Sequence, residues 1–348
     1  LVEPFNAAMM TVVSHVSCTG LSDGSIDLAI TAGGVAPFTY LWDDVNGTTT
    51  EDLTGVPVGT YTVIVTDANN CTFTATRTIT EPTVLFISGS VISDYNGYGI
   101  NCYGNYDGSV SITVEGGTSP YSYLWDDENA VTTSSISGVA AGTYSVTVTD
   151  GNGCIVYGSY ILTEPTELLI TGSVLVDVLC NGALTGSIDV TSIGGVSPLT
   201  YLWSNTATSE DLIGLAAGTY GLTITDLNGC TVSDSYTLTE PTAFTDNGLV
   251  VDVDCNGNAN GSIDISPVGG TLPYSYLWTG GLTTEDIIGL SGGTYDLSVT
   301  DGNGCVFASS YVVNEPSALL ITETLTDILC NGGSDGAISL LVSGGTSP

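Results

Sequence analysis

Apolar and polar residues alternate along this chain in short runs, punctuated every few residues by glycine, proline, asparagine or aspartate. After Gly59-Thr60, residues Tyr61, Val63 and Val65 fall on one face, with Thr62 and Thr66 on the other. The same alternation returns at Tyr144/Val146/Val148, Tyr220/Leu222/Ile224 and Tyr295/Leu297/Val299. A period of two with β-branched polar partners predicts half-buried antiparallel strands. Ile26, Leu28 and Ile30 set against Ser25 and Asp27 predict another such strand, and Phe38, Tyr40 and Trp42 share a face that turns the tryptophan inward. Short strands at regular spacing with turn residues between them predict an all-β sandwich.

The strands belong to a repeat. Glu-Pro recurs at Glu3-Pro4, Glu81-Pro82, Glu164-Pro165, Glu240-Pro241 and Glu315-Pro316, at intervals of 78, 83, 76 and 75 residues. Between these pairs the same landmarks return in order. A cysteine (Cys18, Cys102, Cys180, Cys255, Cys330) precedes a Gly-rich turn; Gly-Gly leads into Pro-x-x-Tyr-Leu-Trp; Gly-Thr-Tyr opens a strand; and Thr-Asp-x-Asn-x-Cys closes the unit. The expected domains are residues 1–82, 83–165, 166–241 and 242–316, with 317–348 the opening of a fifth repeat that stops before its Tyr-Leu-Trp. A buried tryptophan on a central strand and a tyrosine opening a later strand at a corner match the immunoglobulin-like plan. The expected fold class is therefore all-β, a tandem array of immunoglobulin-like antiparallel β-sandwich repeats forming an elongated rod.

The strings Cys-Asn-Gly-x-x-x-Gly-Ser-Ile-Asp, Gly-Thr-Tyr, Thr-Asp-x-Asn-Gly-Cys and Thr-Glu-Pro resemble the SprB-type repeat over essentially the whole chain, with the third and fourth repeats fitting best. The resemblance implies large secreted surface adhesins of gliding Bacteroidota, type IX secretion, and an adhesive or filament-forming role. It brings no catalytic residues. The second repeat departs most, because its stretch from Pro82 to Cys102 is about six residues longer than its counterparts.

Charge narrows the function further. Thirty-seven acidic residues face one basic residue, Arg77, for a formal net charge of −36. Such a surface repels nucleic acid and anionic headgroups, which are bound through Lys and Arg. The acidity gives solubility and repulsion between neighbouring molecules. No apolar run approaches the roughly 18 residues of a membrane span. No signal peptide is visible, and the chain opens mid-pattern at Leu-Val-Glu-Pro, so any targeting segment would lie upstream.

Nine cysteines at fixed repeat positions indicate a disulfide framework in an oxidising compartment. The turn after the first strand and the hairpin between the last two strands are expected at one end of the sandwich. That placement predicts the pairs Cys18–Cys71, Cys102–Cys154, Cys180–Cys230 and Cys255–Cys305, with Cys330 unpaired where the chain stops. Pairing across repeats, such as Cys71 with Cys102, would span about a domain length, far beyond the ~7 Å limit on Cα separation. Free buried thiols are the alternative, and zinc lacks a repeated His or third Cys.

Catalysis is not expected. The only histidine, His15, lies in one repeat and reads as a solvent-facing strand residue, which leaves triad chemistry without a base. Asp67, Asp150, Asp226 and Asp301 head turns in which Asp bonds its own backbone. Calcium is the best-founded ligand, with Asp43, Asp44, Asp126, Asp127 and Glu128 as candidates in oxygen-rich loops. Repeats three and four carry Ser204-Asn205 and Thr279-Gly280 at that place, and no loop offers a complete ligand set. Tyr95, Tyr98, Tyr103 and Tyr106 crowd one loop of the second repeat. They form either a contact surface for protein or sugar or an insertion folded against its own or the neighbouring domain. Glutamate beside proline makes stiff joints.

The sequence thus points to an extracellular, non-catalytic stalk or filament whose partners are its own neighbouring repeats and other copies. A carbohydrate-binding repeat module touching surfaces or polysaccharide is the alternative, and a spacer within a larger secreted enzyme is a third reading.

Overall fold

The structure is a computed structural model that describes residues 8–346; the Glu3-Pro4 junction and the closing Pro348 lie outside the described residues. Every regular element among the described residues is a β-strand. Among the described residues, no helix is long and apolar enough to cross a membrane.

The first repeat holds β1 (Ala8–Ser14), β2 (Gly24–Ala32), β3 (Thr39–Trp42), β4 (Leu53–Val56), β5 (Gly59–Thr66) and β6 (Thr72–Ile79). They form two three-stranded sheets in the orders β1-β2-β4 and β3-β5-β6, with antiparallel pairing throughout. The second repeat repeats the plan with β7 (Phe86–Ile92), β8 (Gly108–Glu115), β9 (Ser122–Trp125), β10 (Ser135–Val139), β11 (Gly142–Thr149) and β12 (Ile155–Leu162). The third supplies β13 (Leu169–Val176), β14 (Gly186–Ile193), β15 (Thr200–Trp203), β16 (Leu212–Leu215), β17 (Gly218–Thr225) and β18 (Thr231–Leu238). The fourth supplies β19 (Leu249–Val251), β20 (Gly261–Asp264), β21 (Ser275–Trp278), β22 (Ile287–Leu290), β23 (Gly293–Thr300) and β24 (Val306–Val313). A last antiparallel pair, β25 (Leu320–Thr326) with β26 (Ala337–Ser343), is exposed on both strands.

Two compact units emerge. One comprises Leu1–Leu169 with the segments Gly194–Leu199 and Thr225–Cys230; the other comprises Ile170–Ile193, Thr200–Ile224 and Thr231–Pro348. The two short segments assigned to the first unit are turns of the third repeat that are tied to the second.

Inward positions are those the alternation marks. Ile26, Leu28, Val63 and Val65 are essentially inaccessible, and Trp42, Trp125, Trp203 and Trp278 are each 1–2% exposed. A buried indole N–H needs an acceptor, and each finds one in the loop that follows its strand: Thr50 O at 3.1 Å, Thr133 O at 2.9 Å, Ser209 O at 2.9 Å and Thr284 O at 3.0 Å. The expected tyrosine corner is present in all four repeats. Tyr61, Tyr144, Tyr220 and Tyr295 donate to the carbonyls of Pro57, Ala140, Ala216 and Ser291 at 2.9–3.0 Å.

One reversal is not written in the alternation. Directly after β3 the chain doubles back, so that the Trp42 amide donates to Thr48 O at 2.9 Å. It turns again into β4, whose end Val56 pairs with Gly24 at the start of β2. This hidden turn decides where the two cysteine turns lie. The β1–β2 turn sits where β6 ends, with the Val16 amide donating to Thr80 O at 3.0 Å. The β5–β6 hairpin sits at the opposite end, beside the Gly-Gly turn that precedes β3.

Candidate functional site: the turns that carry the cysteines

The cysteine after the first strand opens a tight turn. Leu21 N donates to Cys18 O at 3.0 Å, and the same bond recurs from Asn105 to Cys102, Ala183 to Cys180 and Asn258 to Cys255. The third residue is glycine with positive φ, +81° at Gly20 and +72° at Gly182, as a type II turn requires. The Glu-Pro linker holds this turn from outside. Gly20 N donates to Glu81 Oε2 at 2.7 Å, Gly104 N to Glu164 at 2.7 Å, Gly182 N to Glu240 at 2.6 Å and Gly257 N to Glu315 at 3.4 Å. The linker carbonyl is held too, since Thr19, Asn181 and Asn256 donate to Pro82, Pro241 and Pro316.

The second cysteine turn is organised by a buried carboxylate. Asp150 Oδ1 accepts from the amides of Asn152 and Cys154, and Oδ2 accepts from Thr118 N in the Gly-Gly turn. Asp67, Asp226 and Asp301 repeat the arrangement with Val35, Val196 and Thr271. The role expected of these aspartates, bonding their own backbone, is what the geometry gives. Burial raises the Asp150 and Asp301 carboxyls, but three or more backbone N–H bonds outweigh it and hold both below the ordinary value of 3.8. Asp67 is lowered chiefly by the Cys71 amide. The partner Gly-Gly turn has no room for side chains: a Cβ at Gly116, where φ is +74°, would lie 1.8 Å from Val84 O.

These turns meet across repeats, and the pairing expected within repeats is incorrect. The disulfides are Cys18–Cys154, Cys102–Cys230 and Cys180–Cys305, with Cα separations of 5.7, 5.8 and 5.7 Å. Cys71, Cys255 and Cys330 are free and exposed. Because the hidden reversal after β3 places the two turns at opposite ends, Cys18 and Cys71 stand about one strand apart, roughly 26 Å for the eight residues of β6. Cys71 with Cys102 is not formed either; the first cysteines of repeats one to three pair instead with the second cysteine of the following repeat.

An asparagine accompanies every bridge. Asn152 Nδ2 donates to Ser17 O at 2.9 Å, Asn228 Nδ2 to Asn101 O at 2.8 Å and Asn303 Nδ2 to Leu179 O at 2.9 Å. In each case the acceptor is the residue before the first cysteine, and the donor lies two residues before the second. This pairing of Asn with carbonyl was missed in the sequence, although Asn recurs at that place in all four repeats.

Other candidates resolve separately. Asp43 and Asp126 accept from the amides of Thr62 and Ser145, and Asp44 and Asp127 cap the turns to Thr48 and Val131. No group of three or more His, Cys, Asp or Glu side chains suited to a metal occurs among the described residues, and Glu128 joins no such group. His15 is exposed just beyond β1, where Nδ1 accepts from Thr80 N at 3.0 Å. The tyrosine loop divides. Tyr95 and Tyr98 are half-buried and bridge each other, whereas Tyr103 and Tyr106 are 52% and 72% exposed. The inserted loop is folded against the third repeat's turn: Asn228 Nδ2 also reaches Tyr95 O at 3.4 Å, and Asn96 Nδ2 donates to Asn228 Oδ1 at 2.5 Å.

Comparison with known proteins follows the same repeat. The family model described as SprB repeat matches residues 10–47, 100–130, 172–208, 247–283 and 322–348. No curated protein matches the chain. Among solved structures, the eight N-terminal Ig domains of Down Syndrome Cell Adhesion Molecule align over 97% of this chain at 10% identity and a TM-score of 0.27; this chain spans 62% of that one. The insect immune protein hemolin aligns over 88% of this chain and 99% of its own, at 11% identity and a TM-score of 0.26. At those scores the likenesses carry no functional argument. Five matches, each containing the first cysteine of its repeat and four of them reaching the Tyr-Leu-Trp strand, make this chain a member of the SprB repeat family.

Proposed function

We propose that this chain is a tension-bearing, non-catalytic repeat region of an extracellular surface adhesin, with residues 1–82, 83–165, 166–241 and 242–316 as its mechanical units. The observation that carries this reading is the interleaving of the bridges. Cys18–Cys154 and Cys180–Cys305 join into one covalent path along the array, and Cys102–Cys230 belongs to a second path offset by one repeat. A pull on the ends is then borne by residues 1–18, 154–180 and 305–348, and everything between is bypassed. The extensible length falls to about a quarter of the chain, roughly 300 Å rather than roughly 1,250 Å at ~3.6 Å per residue.

Bridges of this kind persist in oxidising compartments outside the cytosol, which supports an extracellular setting. The −36 charge opposes side-by-side association, which favours a stalk over a laterally packed fibre. Stretching single molecules between their ends tests the reading. The oxidised chain is expected to stop extending at about a quarter of the length reached after reduction. Equal final lengths with and without reductant would refute it.

A further inference from the structure

Cys71 and Cys255 are exposed and unpaired, yet each sits in a turn built like those that form bridges. Asp67 Oδ1 accepts from the amides of Asn69 and Cys71, just as Asp150 does from Asn152 and Cys154. Asn69 therefore occupies the place of the bridging asparagines Asn152, Asn228 and Asn303. It is exposed, and its side-chain amide has no partner among the described residues. On the other side, Cys255 lies in a Cys-x-Gly turn held by Pro316 and Glu315, as Cys180 is held by Pro241 and Glu240. The carbonyl of Asp254 stands where Ser17, Asn101 and Leu179 accept the asparagine. In three junctions of this same chain these two halves are joined by a disulfide beside an Asn-to-carbonyl bond.

We propose that Asn69 and Cys71 form the receiving half of a further junction, whose partner is the Cys-x-Gly turn of another SprB repeat. The inference rests on the reading that repeats are locked through these junctions. Bridge formation removes two protons and two electrons from two thiols, and a small disulfide such as oxidised glutathione accepts them in two exchanges. The partner cysteine first forms a mixed disulfide and releases one glutathione thiol. The Cys71 thiolate then attacks the partner's sulfur and displaces the second. The Asn69 amide and the partner carbonyl align the two sulfurs, so the site selects a turn-borne cysteine over an arbitrary thiol.

The whole chain supplies its own probe. One variant carries Cys71→Ser and Cys330→Ser and presents Cys255; the other carries Cys255→Ser and Cys330→Ser and presents Cys71. Before oxidation each is expected to show one free thiol. A higher count means that the internal bridges are absent, which refutes the tension-bearing reading independently of the new site. The two, one of them uniformly 15N-labelled so that the three possible dimers differ in mass, are then mixed in equal amounts with oxidised glutathione and the dimers are weighed without reductant. Recognition predicts the Cys71–Cys255 dimer in about tenfold excess over either self-dimer, and Asn69→Ala cuts it about fivefold, the scale of one lost hydrogen bond, while leaving the rate of reaction with a small disulfide unchanged. A merely twofold excess, the random ratio, would overturn the proposal, as would no dimer at all. In material from the source cells, Cys71 bridged to a first-position cysteine supports the site, and denaturation without reductant tells whether that partner lies in the same polypeptide or another copy. Cys71 recovered reduced contradicts it.

Discussion

Asn152 of the second repeat donates from Nδ2 to the carbonyl oxygen of Ser17 in the first at 2.9 Å, beside the Cys18–Cys154 bridge. The same nitrogen also reaches Thr118 Oγ1 at 3.1 Å, so its orientation is fixed from its own repeat before it meets the neighbour. A partly exposed hydrogen bond of this kind is worth about 1 kcal/mol. Asn152→Ala is therefore expected to lower the melting of the oxidised second repeat by only a few degrees, because the bridge still holds the junction. After reduction it should speed exchange of the Cys18–Cys154 junction, read as faster alkylation of Cys18 and Cys154 than in the parent chain. Equal alkylation rates would remove the asparagine from the junction.

The carboxylate of Asp150 ties the backbone amides of Asn152 and Cys154 to the Gly-Gly turn at Thr118. Asp150→Ala leaves three part-buried backbone donors without their carboxylate acceptor. The second repeat is expected to melt roughly 10 °C lower, and calorimetry resolves this from the other repeats. A shift within 2 °C, about the size seen for neutral surface changes, would show that water replaces the carboxylate at no cost.

The same carboxylates give a pH dependence of definite sign. Asp67, Asp150 and Asp301 are lowered below 3.8 in the folded chain. Their contribution is complete above that value and is lost as pH falls through the folded pKa values. At the alkaline end, burial raises the Tyr144, Tyr160 and Tyr236 hydroxyls above 10.0, so the folded chain loses stability as pH rises past that point. Melting temperature is expected to be flat between about pH 5 and 9 and to fall on both sides. A midpoint that keeps rising below pH 4 would contradict the role of the aspartates.

The one basic residue occupies a position that is tyrosine elsewhere. Arg77 pairs with Tyr61 across the ladder, as Tyr160 does with Tyr144 and Tyr311 with Tyr295. Those tyrosines lie 5.8–6.0 Å from the tryptophan rings; Arg77 instead donates to Thr11 Oγ1 at 2.5 Å and Thr76 O at 2.7 Å. Arg77→Tyr is expected to stabilise the first repeat by about 1 kcal/mol through the added aromatic pair, seen as a rise in its melting temperature. A fall would mean that the Thr11 bond outweighs the ring contact.

The parts of this architecture that depend on local pattern were legible in the sequence. Alternation gave the strands and their faces at Tyr61/Val63/Val65, recurrence gave the repeats, and the Asp-x-Asn-x-Cys string gave the carboxylate turn. The bridges were not legible, because pairing depends on which end of the sandwich each turn occupies. That in turn depends on the number of chain reversals, and the one after Trp42 lies in a loop with no strand alternation to announce it. The Glu-Pro joint was read as stiff from proline alone; the glutamate's bond to the turn of Gly20 needed the fold. The tyrosine loop was readable as an insertion, but only the structure divides it into a half-buried pair, Tyr95 and Tyr98, and an exposed pair, Tyr103 and Tyr106.

The most direct test of the central claim is a disulfide map of the unreduced chain. Cleavage after the abundant Asp and Glu residues separates the cysteines onto different peptides, and mass spectrometry identifies which remain joined. Peptides linking Cys18 to Cys154, Cys102 to Cys230 and Cys180 to Cys305 are the predicted result. Peptides linking Cys18 to Cys71 and Cys102 to Cys154 would contradict it, and would return each repeat to a self-contained domain joined to its neighbours by the linker alone.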